Sequence, residues 1–204
     1  MNKFVYNAPT EWTPKEHFPD LSKEKLISID LETCDTQLTT HGSGWATKNG
    51  YVTGIAVATA NWEGYYPIAH NGGNLDKTKV LDWFKTVAKL DCPKIFHNAS
   101  YDIGWLKSLG ITVNGKVHDT MISSALLDEN RYSYTLNSLA KDKLGRTKNE
   151  DLLIAAAKEF GVDPKKEMYK LPSMHVGEYA EYDARLTYDL YLLNKEQIDK
   201  QELQ

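Results

Sequence analysis

Asp30, Glu32, Asp102, Tyr179 and Asp183 are the side chains of this sequence whose types and spacing could do chemistry together. Asp30-Leu31-Glu32 sets two carboxylates two residues apart. In a β-strand, residues i and i+2 point to one face, so both acids aim at the same volume while Leu31 turns the other way. Two carboxylates so placed repel unless a proton or a cation lies between them. Asp102 closes the segment His97-Asn98-Ala99-Ser100-Tyr101-Asp102. It falls in the first turn of an expected helix, where the macrodipole favours an anion. In Tyr179-Ala180-Glu181-Tyr182-Asp183 the phenol and the last carboxylate are i and i+4 and share a helix face. Each motif alone has an ordinary reading: solvated acids at a strand end, an acid stabilising a helix start, an aromatic core residue beside a surface acid. Brought together, Asp30, Glu32, Asp102 and Asp183 are hard oxygen donors suited to two Mg²⁺ or Mn²⁺ ions. Paired ions of that kind serve phosphodiester hydrolysis.

Such a set needs strand ends and helices that meet. Lys25–Leu31 is short, apolar and alternating, and predicts a first strand. Residues 33–50, with Gly42, Gly44, Gly50 and many threonines, predict one long loop of the kind that carries function. Tyr51–Ala60 and Tyr65–Ala69 predict two further strands joined by a turn near Asn61–Gly64. Leu75–Leu90 has apolar residues at helical spacing, and Pro93 follows it. Lys94–His97 is a short strand, Asn98–Leu109 a helix closed by Gly110, and Val117 marks a fifth strand. The rest is helical, at about 119–128, 135–143, 150–160 and from about 175 onward. This order predicts an α/β domain with a mixed sheet of about five strands flanked by helices. Pro9, Pro14 and Pro19 lie among polar residues, so 1–24 is expected to be an extended arm outside the core, and 25–204 the domain. The last helix carries no Gly or Pro stop, so the natural chain is expected to continue.

The chain has 204 residues, 41% hydrophobic and 25% charged, which excludes disordered and fibrous classes. A net charge of −4 excludes a polybasic nucleic-acid binder. Between residues 131 and 170, nine Lys or Arg face six acids, and a solvated helix face explains that surplus as well as a strand-guiding surface does. Two distant cysteines, Cys34 and Cys92, point to a reducing cytoplasm. The six histidines show no zinc spacing, and no segment is apolar enough to be a signal peptide or a membrane span.

Over about residues 25–200 the chain resembles the DEDD superfamily of 3′→5′ exonucleases, and most of all the proofreading domain of family A, phage-type DNA polymerases. Ile29–Thr33, His97–Asp102 and Tyr179–Tyr191 carry the likeness. Tyr179 stands four residues before Asp183, and Glu178 occupies the position where the other branch has histidine, which marks the Tyr branch. The resemblance implies an RNase H-like fold that removes 5′-mononucleotides from the 3′ end of single-stranded DNA. Asp30, Glu32 and Asp183 would hold one divalent cation, with Asp30 and Asp102 serving a second. Tyr179 and Glu32 would orient the attacking water. Thr33, Leu38, Asn98 and Tyr101 would contact the substrate. A polymerase domain or subunit is the implied partner, and the host cytoplasm the location if a phage encodes the chain.

Trp105, Tyr132 and Tyr134 are candidates for stacking on bases, against ordinary core packing. Two other readings compete. An RNase D-like exoribonuclease would share the five chemical residues, and a non-catalytic nucleic-acid-binding or structural module would share only the fold.

Overall fold

The computed structural model describes residues 10–147 and 150–201. Five strands form one mixed sheet in the order β3-β2-β1-β4-β5. β1 (Ile27–Cys34), β2 (Tyr51–Ala58) and β3 (Glu63–Pro67) make an antiparallel meander. β4 (Lys94–Phe96) and β5 (Val117–Asp119) add in parallel on the other side of β1. Parallel addition needs crossovers, supplied by α3 (Lys77–Ala88) and α4 (Ala99–Ser108). The single turns α1 (Leu38–His41) and α2 (Gly44–Thr47) follow β1. After β5 come α5 (Thr120–Leu127), α6 (Leu136–Leu139), α7 (Asp151–Phe160) and the long α8 (Gly177–Lys200).

Period-two alternation sorts the sheet into two faces. One face presents large residues: Ile27, Ile29 and Leu31 of β1, Ile55 and Val57 of β2, Phe96 of β4. These bury against Val80, Phe84 and Val87 of α3 and Leu106 of α4. The opposite face presents Ala56 and Ala58 of β2 with Tyr65 and Ile95. It meets Ala180, Ala184 and Tyr188 of α8. Alanine against alanine lets α8 lie close to the strands, which brings its polar side chains within reach of β1.

Three groups then set the rotation and slide of α8. Arg185 donates to Glu63 Oε2 through Nε at 3.0 Å and Nη2 at 2.6 Å. Glu181 Oε1 accepts from the backbone N–H of Tyr65 at 3.1 Å. Asn194, fully buried, donates to Ser124 Oγ at 2.8 Å and Ser123 Oγ at 3.0 Å on α5.

Several expectations shift in detail. β1 runs on to Cys34, because its pairing with β2 continues to Cys34↔Tyr51. The loop expected over 33–50 is therefore shorter and holds α1 and α2. β3 begins at Glu63, which pairs with Ala58, and ends at Pro67, which has no N–H to continue a ladder. The helix expected at 135–143 is α6 followed by a wider π-helical turn, Ala140–Leu144. Leu136, Leu139 and Ala140 thereby reach Leu186 and Leu190 of α8.

The N-terminal arm needs correction. Residues 1–9 lie outside the described residues. From 10 to 24 the chain is without helix or strand, but it is part of the core. Leu21 is buried, Phe18 stacks on Tyr66 at 5.4 Å, and Trp12 covers Gly177 so closely that a Cβ there would meet the indole at 2.1 Å. Prolines keep the segment extended, and its few large apolar residues dominate its placement.

The alanine seam yields a stability test. Ala180→Leu should destabilise the fold by about 1–3 kcal/mol through overpacking. The same change should weaken activity by lifting Tyr179 and Asp183 away from β1. Urea denaturation measures the first effect, and an unchanged midpoint would show that the seam is not close-packed.

Candidate active site

Leu31 turns into the core under α3 and α4, so Asp30 and Glu32 emerge on the α8 face. The cross-strand partner of Glu32 is Gly54, and a β-bulge follows between Glu32 and Thr33. Such bulges re-aim a strand end. Gly54 leaves a notch that the phenol of Tyr65 fills: a Cβ on Gly54 would lie 2.0 Å from Tyr65 Oη. Tyr65 is fully buried, and its hydroxyl is 2.5 Å from His70 Nε2. Asn74 holds the His70 backbone through two hydrogen bonds, of 2.7 and 2.8 Å. Burial, then the charges of Glu32 and Asp30, push the Tyr65 phenol well above its ordinary range, so it stays neutral. Tyr65, held by His70, forms the floor beneath the two β1 acids. Neither was singled out from the sequence. The signal was the register itself, since Asp30 pairs with Ala56 and Ala56 with Tyr65.

Asp102 arrives from α4. Asn98, just before this helix, is left-handed at φ 67. The backbone N–H groups of Asn98 and Ala99 donate to Asp119 Oδ1 and Oδ2 at 3.1 and 2.8 Å. Asp119 also caps α5, so one carboxylate ties two helix starts to the end of β5. The first turn of α4 then points back at β1. β1 pairs with β4 at Ile27↔Lys94 and Ser28↔Ile95. Further along, the N–H of Leu31 donates to Asp102 Oδ1 at 3.2 Å. Asp102 is buried, and its carboxyl is pushed well above the ordinary range, first by burial and then by the charge of Asp30.

α8 brings Tyr179 and Asp183 on one face, as their spacing predicts. Asp183 is buried. One carboxylate oxygen each from Asp30, Glu32 and Asp183 lies within 4.8 Å of the others. The Tyr179 phenol is raised by burial first, then by Asp183, Glu32 and Asp30, so it keeps its proton beside all three acids. Asp102 stands next to this trio through Asp30. Like charges crowded in a desolvated place, all hard oxygen donors, fit divalent cations of the Mg²⁺ or Mn²⁺ type.

A cleft of about 340 Å³ opens from Glu32 along Thr33, Leu38, Asn98 and Tyr101. Thr33 Oγ1 lies 2.9 Å from Tyr101 Oη, which donates to Asp35 Oδ2 at 3.0 Å. Asp35 Oδ2 also accepts from the N–H of Gly44 at 2.9 Å, pinning the turn that carries Leu38. Burial pushes the Tyr101 phenol up to about 12. Leu38 is 42% exposed at the lip. Of the proposed stacking residues, Trp105 is buried in the core under α4 and is not a cleft residue. Tyr132 is fully exposed and Tyr134 packs near α6, and neither lines this cleft. A larger cavity, about 570 Å³, lies between β5, α5 and the second half of α8, away from the acids.

A family model described as 3'-5' exonuclease matches residues 7–197. A DNA-directed DNA polymerase of Pseudomonas phage M6 is 36% identical over 91% of this chain and 30% of its own length. DNA polymerase DpoZ of Salmonella phage PMBT28 is 29% identical over 91% of this chain and 29% of its own. The chain thus spans about 30% of the length of these relatives. Among solved structures, Brucella melitensis NrnC superposes with a TM-score of 0.62 at 17% identity, covering 90% of this chain and 78% of that one. Trypanosoma brucei RNase D gives 0.60 at 19%, covering 83% and 57%. These two likenesses show the fold, that of RNase H-like DEDD exonucleases.

The floor of the site makes stability pH-dependent. Burial lowers His70 from about 6.5 to about 4. A histidine depressed in the folded state contributes stability that is complete above the unfolded value and is lost as pH falls through the window from 6.5 toward 4. The loss approaches about 3 kcal/mol at the acid end. Urea midpoints should fall across this window in the native chain and less steeply in His70→Gln. Parallel curves would remove His70 as the cause.

Proposed function

The chain belongs to the family of 3'-5' exonuclease domains of A-type DNA polymerases, and from that premise we propose that it removes 5′-mononucleotides from the 3′ end of single-stranded DNA. The convergence of Asp30, Glu32 and Asp183 within 4.8 Å, with Asp102 and Tyr179 beside them, carries this reading. The names of the relatives favour DNA as the substrate, and a polymerase portion or subunit as the partner. No helix among the described residues is long and apolar enough to cross a membrane.

Asp30, Glu32 and Asp183 would hold one divalent cation, and Asp30 with Asp102 a second. Bound there, the two ions supply Lewis acidity toward the attacking water and the leaving oxygen. The residues of the chain do the rest. Tyr179, protonated, donates toward the water while Glu32 accepts from it, which sets the line of attack. The water oxygen bonds to the terminal phosphorus as the bond to the 3′-oxygen of the penultimate nucleotide breaks; the water gives up one proton to solvent on the Glu32 side, and the leaving 3′-oxygen takes one up from solvent. Leu38 supports the terminal base, and Thr33, Asn98 and Tyr101 frame its sugar.

Two measurements test this. Matched 3′-labelled DNA and RNA strands with Mg²⁺ or Mn²⁺ should show shortening of DNA from the 3′ end. Asp30→Ala should lower the rate by roughly 10²-fold or more, the scale on which one stabilising group acts. Shortening of RNA in preference to DNA would make the chain an exoribonuclease, and wild-type rates in Asp30→Ala would sink the site assignment. Tyr179→Phe should lower kcat roughly 10- to 100-fold with little change in KM. Equal losses in kcat and substrate affinity would reduce Tyr179 to a packing role.

A further inference from the structure

The cleft beside Glu32 has a second wall that the reading above leaves without a role. Lys165 and Lys166 line it together with Asn98 and Tyr101. They come from the turn between α7 and α8, more than sixty residues away in sequence from the other wall. The turn is built to present them. Asp163 Oδ1 accepts from the backbone N–H groups of both Lys165 and Lys166, each at 2.8 Å. Glu167 Oε2 in turn accepts from the N–H of Asp163 at 3.0 Å, and Glu167 Oε1 takes the ammonium of Lys170. Met168, buried beneath, anchors the turn to the core under α8. The acids of the turn are thus engaged with backbone or with Lys170. Among the described residues, the Lys165 and Lys166 ammonium groups make no hydrogen bond or ion pair, and both residues are exposed.

A single strand entering this cleft meets Glu32 on its lining, with Asp30 and Asp183 clustered next to Glu32. Its 3′-terminal nucleotide carries one phosphodiester, the scissile one, and that bond belongs to the acids and their cations. Any other phosphate in the cleft lies on the 5′ side of it. We propose that Lys165 and Lys166 are a clamp for the phosphodiesters upstream of the scissile bond, a binding site separate from the carboxylate centre. The proposal rests on the exonuclease reading. The two ammonium groups offset the repulsion between the acidic site and the incoming backbone. Because they contact phosphate and not base edges, they hold any sequence equally.

The test compares a thymidine dimer, which has only the scissile phosphodiester, with a thymidine octamer. It uses the full chain and its Lys165→Gln/Lys166→Gln double variant. The kcat/KM of the octamer should fall about tenfold more than that of the dimer, through KM. Each phosphate contact on a single strand adds about 0.7 to the slope of log KM against log salt, so the octamer slope should drop by about 1.4. A Lys165→Arg/Lys166→Arg double variant should restore the slope. Equal losses on dimer and octamer, or an unchanged slope, would overturn the clamp while leaving the nuclease intact. Absence of wild-type turnover on either substrate would instead overturn the exonuclease reading, and the clamp with it.

Discussion

Carboxylates confined together repel, and everything around this site is arranged to hold them against that repulsion. Two unit charges 4.8 Å apart interact with roughly 3 kcal/mol at an effective dielectric of about 20. Several such pairs rival the whole net stability of an ordinary domain, about 5–15 kcal/mol. No acid is therefore left to a loose side chain on a loop. Asp30 and Glu32 stand on a central strand, Asp102 is fastened by the N–H of Leu31, and Asp183 is buried on a 24-residue helix. The crowding is visible in Asp102, whose carboxyl is raised by burial and by its neighbours' charge. It is also the chemical reason the place suits divalent cations.

The long helix transmits this constraint to the rest of the molecule. Its alanines meet the alanines of β2, so the helix comes close enough for Asp183 to reach Glu32. Arg185 and Glu181 tie it to β3, and Asn194 ties its far end to α5. Beneath it, Tyr65 occupies the space that Gly54 leaves empty, and His70 holds that phenol in place. The floor, the acids and the covering helix are thus one packed unit.

The overall acidity also takes on a local meaning. A net charge of −4 excludes a protein that binds nucleic acid by bulk cationic charge, and it still does. Four of the acids belong to the site, and two divalent cations would cancel the whole surplus. The basic stretch between 131 and 170 divides on folding. Arg131 pairs with Asp142 and Arg146 with Asp189. Lys165 and Lys166, by contrast, face the cleft. Lys148 lies outside the described residues. Position relative to the carboxylates, and not the count of charges, separates a solvated face from a strand-guiding one.

Local rules made much of this legible in advance. The pleat put Asp30 and Glu32 on one face and Leu31 on the other; helical spacing put Tyr179 over Asp183; element order set out a mixed sheet of five strands. The first two hold because they depend on a period within a single element, and the third because it depends only on the order of elements along the chain. The role of Tyr65 could not be read the same way, because it arises from register across three strands and from the missing side chain of Gly54. For Trp105 the sequence left stacking and core packing both open, and α4 turns it into the core. Residues 10–24 looked peripheral, yet Trp12, Phe18 and Leu21 pack into the body of the fold. For Lys165 and Lys166 the sequence left a solvated face and a strand-guiding surface both open, and the turn before α8 sets them on the lining of the cleft. Sequence alone determined the chemical types, their order and the face each takes on its own strand or helix. Tertiary structure alone decided which of those faces meet, because the distance between elements is set by side-chain volume and cross-strand register, and neither is local to any stretch of the chain.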